Sequence, residues 1–170
     1  MHAWKLHPRQ AFITGCSSIT ASGQYSTFSL YNASQSRSYI AILDWQIVAN
    51  TTGTMYMAYS RGNFGGTALT VLPFIPEQGD YPAQAYNSTQ ASQVAAGGYA
   101  LRPAASTPQT WPHNYPFCVL APGWQFYLQH NGANDGFNIG VLGQWLTPEQ
   151  LDEGSWLAAN ANLLLDQPGS

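Results

Sequence analysis

Side chains able to move a proton, attack a carbon or hold a metal near neutral pH are few in this chain: four histidines, two cysteines and eight carboxylates among 170 residues. His2, His7, His113 and His130 stand alone. No pair has the i, i+2 spacing of a strand face or the i, i+4 spacing of a helix face that would aim two imidazoles at one ion. No metal and no other cofactor is expected. Cys16 and Cys118 lie far apart and form neither a CxxC nor a zinc spacing, so they read as two small buried thiols, with a disulfide between them as the alternative. For nucleophilic catalysis, a Gly-x-Ser-x-Gly elbow is absent. Cys118 with His113, five residues away across Pro116, is the best available pair, and a pairing of this kind arises by chance in most proteins.

Candidate carboxylates for a glycoside-hydrolysing pair are Asp44, Glu77, Asp80 and Asp135, with Glu149, Asp152 and Glu153 in the terminal segment. Asp44 sits beside Trp45 in a strand-like run, where burial would perturb its titration, and the simpler expectation is that it faces solvent or an arginine. Gly62, Gly65 and Gly66 lack the Lys-Ser or Lys-Thr of a phosphate loop. No catalytic residue is assigned, and the chain is read as a non-enzyme. Trp111, Tyr115 and Trp124 fall in turns, where their faces could stack on pyranose rings or plug the end of a sandwich or a subunit interface.

Only 8% of the residues are charged while 14% are aromatic, against about 25% charged in an average soluble domain. Such a chain covers itself with neutral polar residues or hides surface in an assembly. Lys5, Arg9, Arg37, Arg61 and Arg102 are scattered and the net charge is -3, which disfavours nucleic acid and an anionic membrane as partners. No apolar run approaches the ~20 residues of a spanning helix, and the first fourteen residues lack the apolar core of a secretory leader. Sequons begin at Asn32, Asn50 and Asn87, and without a leader they are expected to stay unmodified.

The elements that position these residues are read as strands. Runs rich in Val, Ile, Thr, Tyr, Phe and Trp recur between clusters of Gly, Pro, Asn and Ser. Strands are predicted over Ala11–Gly15, Gln24–Asn32, Tyr39–Ala49, Thr54–Ser60, Thr67–Ile75, Phe117–Ala121, Gln125–Gln129 and Gly136–Trp145. Asn50–Gly53 is read as the turn of a hairpin, and Pro73 marks an edge or bulged strand. Met55, Met57 and Tyr59 would share one strand face. Pro76–Pro116 reads as loop-rich, with short strands at Gln84–Asn87 and Gly98–Arg102, and is a candidate partner-contacting surface. Thr147-Pro148-Glu149-Gln150 has the chemistry of a helix start, and Ser155–Leu165 suits a second short helix. Short strands with regular turns point to an all-β antiparallel sandwich of jelly-roll type, with a short C-terminal helical segment. Its domains are an N-terminal arm over 1–10, the sandwich over 11–146 and a helical arm over 147–170.

Tyr115-Pro116-Phe117-Cys118-Val119-Leu120-Ala121-Pro122-Gly123-Trp124-Gln125-Phe126-Tyr127-Leu128, followed by Gly140-Val141-Leu142-Gly143-Gln144-Trp145, resembles the closing strands of bacteriophage virion jelly-roll proteins. The match covers about 30 residues, and trimeric jelly rolls of the tumour-necrosis-factor and complement-globular-head type close similarly. The resemblance implies a capsid decoration, cement or minor structural protein, located in the virion. Its partners would be itself, as a homotrimer, and the major capsid protein or another virion protein. Interface anchors would then include Trp4, Trp111, Tyr115, Trp156, Leu163 and Leu164. A carbohydrate-binding module of a tail or spike, stacking sugar on Trp111, Tyr115 and Trp124, is the second reading.

Overall fold

The structure is a computed structural model that describes residues 8–75, 82–94, 98–111 and 116–152. Its strands are β1 (Ala11–Ser17), β2 (Tyr25–Asn32), β3 (Tyr39–Ala49), β4 (Met55–Arg61), β5 (Thr67–Leu69), β6 (Val71–Pro73), β7 (Ala83–Gln90), β8 (Tyr99–Leu101), β9 (Pro108–Thr110), β10 (Cys118–Leu120), β11 (Trp124–His130) and β12 (Phe137–Leu146). One short helix, α1 (Pro148–Asp152), follows. Every strand pairing is antiparallel.

The strands form two sheets. The first has the order β10-β3-β12-β1-β6, with β9 also on β3; the second runs β5-β7-β2-β11-β4-β8. Taken alone, β10-β3-β12-β1 and β8-β4-β11-β2 are the two halves of a jelly roll, because successive strands alternate between the sheets except at β4 to β8. Into that one connection the chain inserts β5, β6 and β7, which widen both sheets.

Three expectations need correction. Tyr39–Ala49 and Thr54–Ser60 do not form a hairpin, since β3 and β4 lie in opposite sheets. Both carry a stripe of inward apolar residues, and crossing the sandwich at Asn50–Gly53 buries both stripes in one core. Thr67–Ile75 is two strands, not one: β5 joins the second sheet and β6 the first, with Thr70 between them. The predicted edge position of Pro73 is met, because β6 pairs only with β1. Finally, Pro76–Pro116 is less loop-like than its prolines suggest. It supplies β8, β9 and the eight-residue β7, which pairs with β2 along its whole length.

Between the sheets Phe12, Phe28, Phe126 and Phe137 are fully buried together with Ile40, Ile42, Ile47 and Leu128. Each contributes about 1.5–3 kcal/mol through burial. A register shift opposite Leu142/Gly143 makes Leu43 a bulged residue of β3, so that Ile42 and Trp45 both point into the core. Gly143 leaves room for the Phe12 ring, which stacks on Trp145 at 6.2 Å.

The start of α1 follows its sequence signal. Thr147 Oγ1 accepts from Gln150 N at 3.3 Å, and Gln150 Oε1 accepts from Thr147 N at 2.9 Å, a reciprocal capping box with Gln150 in the box position. The Gln150 amide also exchanges two hydrogen bonds with Gln10, which ties the helix to the start of β1. The arms read over 1–10 and 147–170, and the second helix over Ser155–Leu165, fall largely outside the described residues.

Candidate functional site

Among the described residues, those that carry chemistry in the sequence are kept apart by the fold, with one exception. His130 ends β11 fully enclosed, its Nδ1 3.4 Å from Asp135 Oδ2 and its Nε2 3.5 Å from Thr51 Oγ1. That order of groups is the outline of a hydroxyl–imidazole–carboxylate relay. The tautomer is wrong for one. Nδ1 accepts the backbone N–H of Gly132 at 2.9 Å, so the ring proton sits on Nε2, the nitrogen that would have to receive the Thr51 proton. The cluster is a lock on the turn between β11 and β12, completed by Asn131 Oδ1 accepting from Thr54 N at 3.0 Å.

The other described candidates are separated. Among the described residues no three His, Cys, Asp or Glu side chains converge as a metal site would require. Both cysteines are free, and burial pushes the Cys16 thiol up to about 11 and the Cys118 thiol up to about 12. Such thiols stay protonated and unreactive near neutrality. Asp44 is exposed on the outer face of β3, immediately after the bulge. His113, Glu77, Asp80 and Glu153 lie outside the described residues. Asn32 and Asn87 are buried sequon residues whose amides bond the backbone, Asn32 to Ser38 and Leu120 and Asn87 to Ser17. Neither can carry a glycan in the folded chain.

The two outward sheet faces differ sharply. On the second sheet the outward side chains are polar, yet Thr27, Ser29, Gln125 and Gln129 are buried. The chain covers them itself. Phe64 packs edge-on to Tyr127 at 4.9 Å, and residues 91–94 lie across the sheet, where Ser92 O accepts from Gln129 and Val94 O from the Tyr127 hydroxyl.

No such cover lies over the first sheet among the described residues. Its outer face has three cross-strand rows. Leu72, Ile13, Leu142 and Asp44 form one; Gly15, Gly140, Gln46 and Thr110 the next; Ser17, Asn138, Val48 and Pro108 the third. The paired glycines make the middle row a trench of about 670 Å³ with a backbone floor. Its apolar wall is open to solvent, Ile13 at 45% and Leu72 at 53% exposure, and Phe74 and Ile75 extend it along the β6 edge. This face is the candidate functional site.

The aromatic residues singled out from the sequence separate. Trp111 packs at 4.9 Å on Phe117, which also meets Trp45, Tyr99 and Phe126, closing the open side of the sandwich between β10 and β8. Trp124 lies instead beside Tyr59 at 6.2 Å and opposite Arg61. Trp4, Tyr115, Trp156, Leu163 and Leu164 lie outside the described residues. Sequence reasoning missed Ile13, Leu72 and Tyr59. Ile13 and Leu72 belong to strands, and only the pairing shows which side of each remains uncovered.

No family model, curated protein or solved structure matches the chain.

Proposed function

We propose that the protein is a non-enzymatic structural component of a bacteriophage virion, decorating or cementing the capsid through subunit contacts. It would act as a homotrimer and bind the major capsid protein or another virion protein. The observation that carries this reading is the contrast between the two outer faces. One sheet is sealed by the chain's own insertions although its outward residues are polar; over the other, no described residue covers an apolar row beside a trench. A soluble monomer gains nothing from exposing Ile13, Leu72, Phe74 and Ile75 together, and a subunit that buries them against a neighbour does. The low charge content favours the same use, since interface cores are depleted in charge. The resemblance of the closing strands to virion jelly rolls supplies the setting.

Native mass across a dilution series is the test. The expected result is a species of three times the 18.5 kDa chain that persists on dilution and co-sediments with capsids of the phage that encodes it. A strict monomer at about 100 μM that also fails to co-sediment would sink the proposal, because a standard interface holds well below that concentration.

A further inference from the structure

At one corner of the sandwich, away from the trench, three residues form a second site. Tyr59 and Arg61 are two apart on β4, so their side chains leave the same side of the strand about 7 Å from one another. Met55 and Met57 use that side to enter the core; Tyr59 lies past its end and is 65% exposed. Trp124 stands directly opposite Arg61 on β11, with the guanidinium carbon 6.0 Å from its ring centroid. The Tyr59 and Trp124 rings meet at 6.2 Å with a 50° tilt, forming a corner rather than a closed stack.

Each part has a distinct consequence. Stacking on Trp124 orients the guanidinium and leaves its N–H fork available. Among the described residues no carboxylate lies within ion-pair distance of Arg61. Tyr59 offers an apolar ring face held by its neighbour. We propose that Tyr59, Arg61 and Trp124 bind a saccharide that carries a ring carboxylate. The pyranose stacks on Tyr59, its carboxylate takes the Arg61 fork in a bidentate hydrogen-bonded pair, and Trp124 positions Arg61. The 7 Å offset between the two side chains matches a sugar ring with its carboxylate at the rim. A groove of about 550 Å³ continues from Tyr59 to Tyr99, itself 53% exposed, and has room for further sugar units. Nucleic acid fits less well, because a lone arginine cannot neutralise a run of phosphates. This inference stands independently of the virion reading.

The probes are trigalacturonate and its methyl ester, which keeps the shape and removes the charge, titrated calorimetrically at low ionic strength. The acid is expected to bind with a millimolar or tighter Kd and the ester about tenfold more weakly. Arg61→Gln should bring the acid down to the affinity of the ester, and Tyr59→Ala should abolish both. Both side chains are exposed, so the thermal midpoint should not move, and Trp124→Phe should weaken the preference for acid without unfolding the protein. Absence of binding at about 10 mM trigalacturonate would overturn the proposal, as would binding unchanged in Arg61→Gln and Tyr59→Ala. Tighter binding of a nucleoside monophosphate than of trigalacturonate would overturn the ligand class.

Discussion

His130 shows how a group of atoms with catalytic outline becomes structural through one backbone hydrogen bond. Because Gly132 N donates to Nδ1, replacing His130 with Ala removes the partner of that N–H in a half-buried turn and opens a cavity where the enclosed ring was. His130→Ala should therefore cost about 2–4 kcal/mol in urea unfolding. Thr51→Ala, which removes only a 3.5 Å contact, should cost under about 1 kcal/mol. An equal loss in both variants would mean that Thr51 is a true partner. Cys118 yields a prediction in pH. Its thiol is held neutral up to about 12 when folded, against an ordinary value of 9.0, so above pH 9 the unfolded chain loses a proton that the folded chain keeps. Stability is unaffected below pH 9 and falls as pH rises from there toward 12. The loss has an upper bound of about 4 kcal/mol. The urea midpoint of the wild type should drop more between pH 8 and 11 than that of Cys118→Ala; parallel curves would refute the assignment.

At the scale of elements, β1 and β12 carry three glycines with different duties. A Cβ at Gly143 would sit 2.3 Å from the Phe12 ring, which is itself enclosed and stacked on Trp145. Gly143→Ala should destabilise by about 1–3 kcal/mol through overpacking. Gly15 is opposed by the Ile139 carbonyl at 2.3 Å, a backbone neighbour that cannot swing away. Gly140 meets nothing within 4 Å, so Gly140→Ala should leave stability within about 0.5 kcal/mol while placing a methyl in the trench. If the trench receives a neighbouring subunit, that silent variant should still weaken assembly, and unchanged trimer mass on dilution would argue that the trench floor makes no contact.

For the whole molecule, if the proposed trimer forms, the unequal covering of the two sheets by the described residues makes the apolar wall of the first sheet the place to break assembly without breaking the fold. Leu72→Asp on the edge strand β6 places a charge where solvent already reaches. It should shift the native mass toward monomer while the far-ultraviolet circular dichroism stays that of the wild type. A trimer unaffected by Leu72→Asp and Ile13→Asp together would move the subunit contact to another surface. The thermal midpoint of the wild type should rise with protein concentration, as it must for a subunit whose folded form is stabilised by partners, and that of the double variant should not.

Most strand positions and the sandwich architecture were legible from sequence because alternation and turn chemistry are local, while the split of Thr67–Ile75 and the strand Pro108–Thr110 were not. Tyr25–Asn32 puts Phe28 and Leu30 on one side, Pro122-Gly123 bends the chain, and Thr147 to Gln150 spell a capping box that the structure contains. What a strand pairs with is not local. Asn50–Gly53 states that the chain turns, and only the competition for one core decides that β3 and β4 go to opposite sheets. Polarity likewise does not determine exposure, since Thr27, Ser29 and Gln129 are buried on the face that Phe64 and residues 91–94 cover. Both candidate surfaces share that origin. Ile13, Leu72 and the Gly15–Gly140 pair lie far apart in sequence, as do Tyr59 and Trp124, and each group is joined only by strand pairing. Composition and local pattern determined that this is a weakly charged, aromatic-rich β chain; tertiary structure decided which of its faces the described residues leave uncovered, because covering a face takes residues distant in sequence.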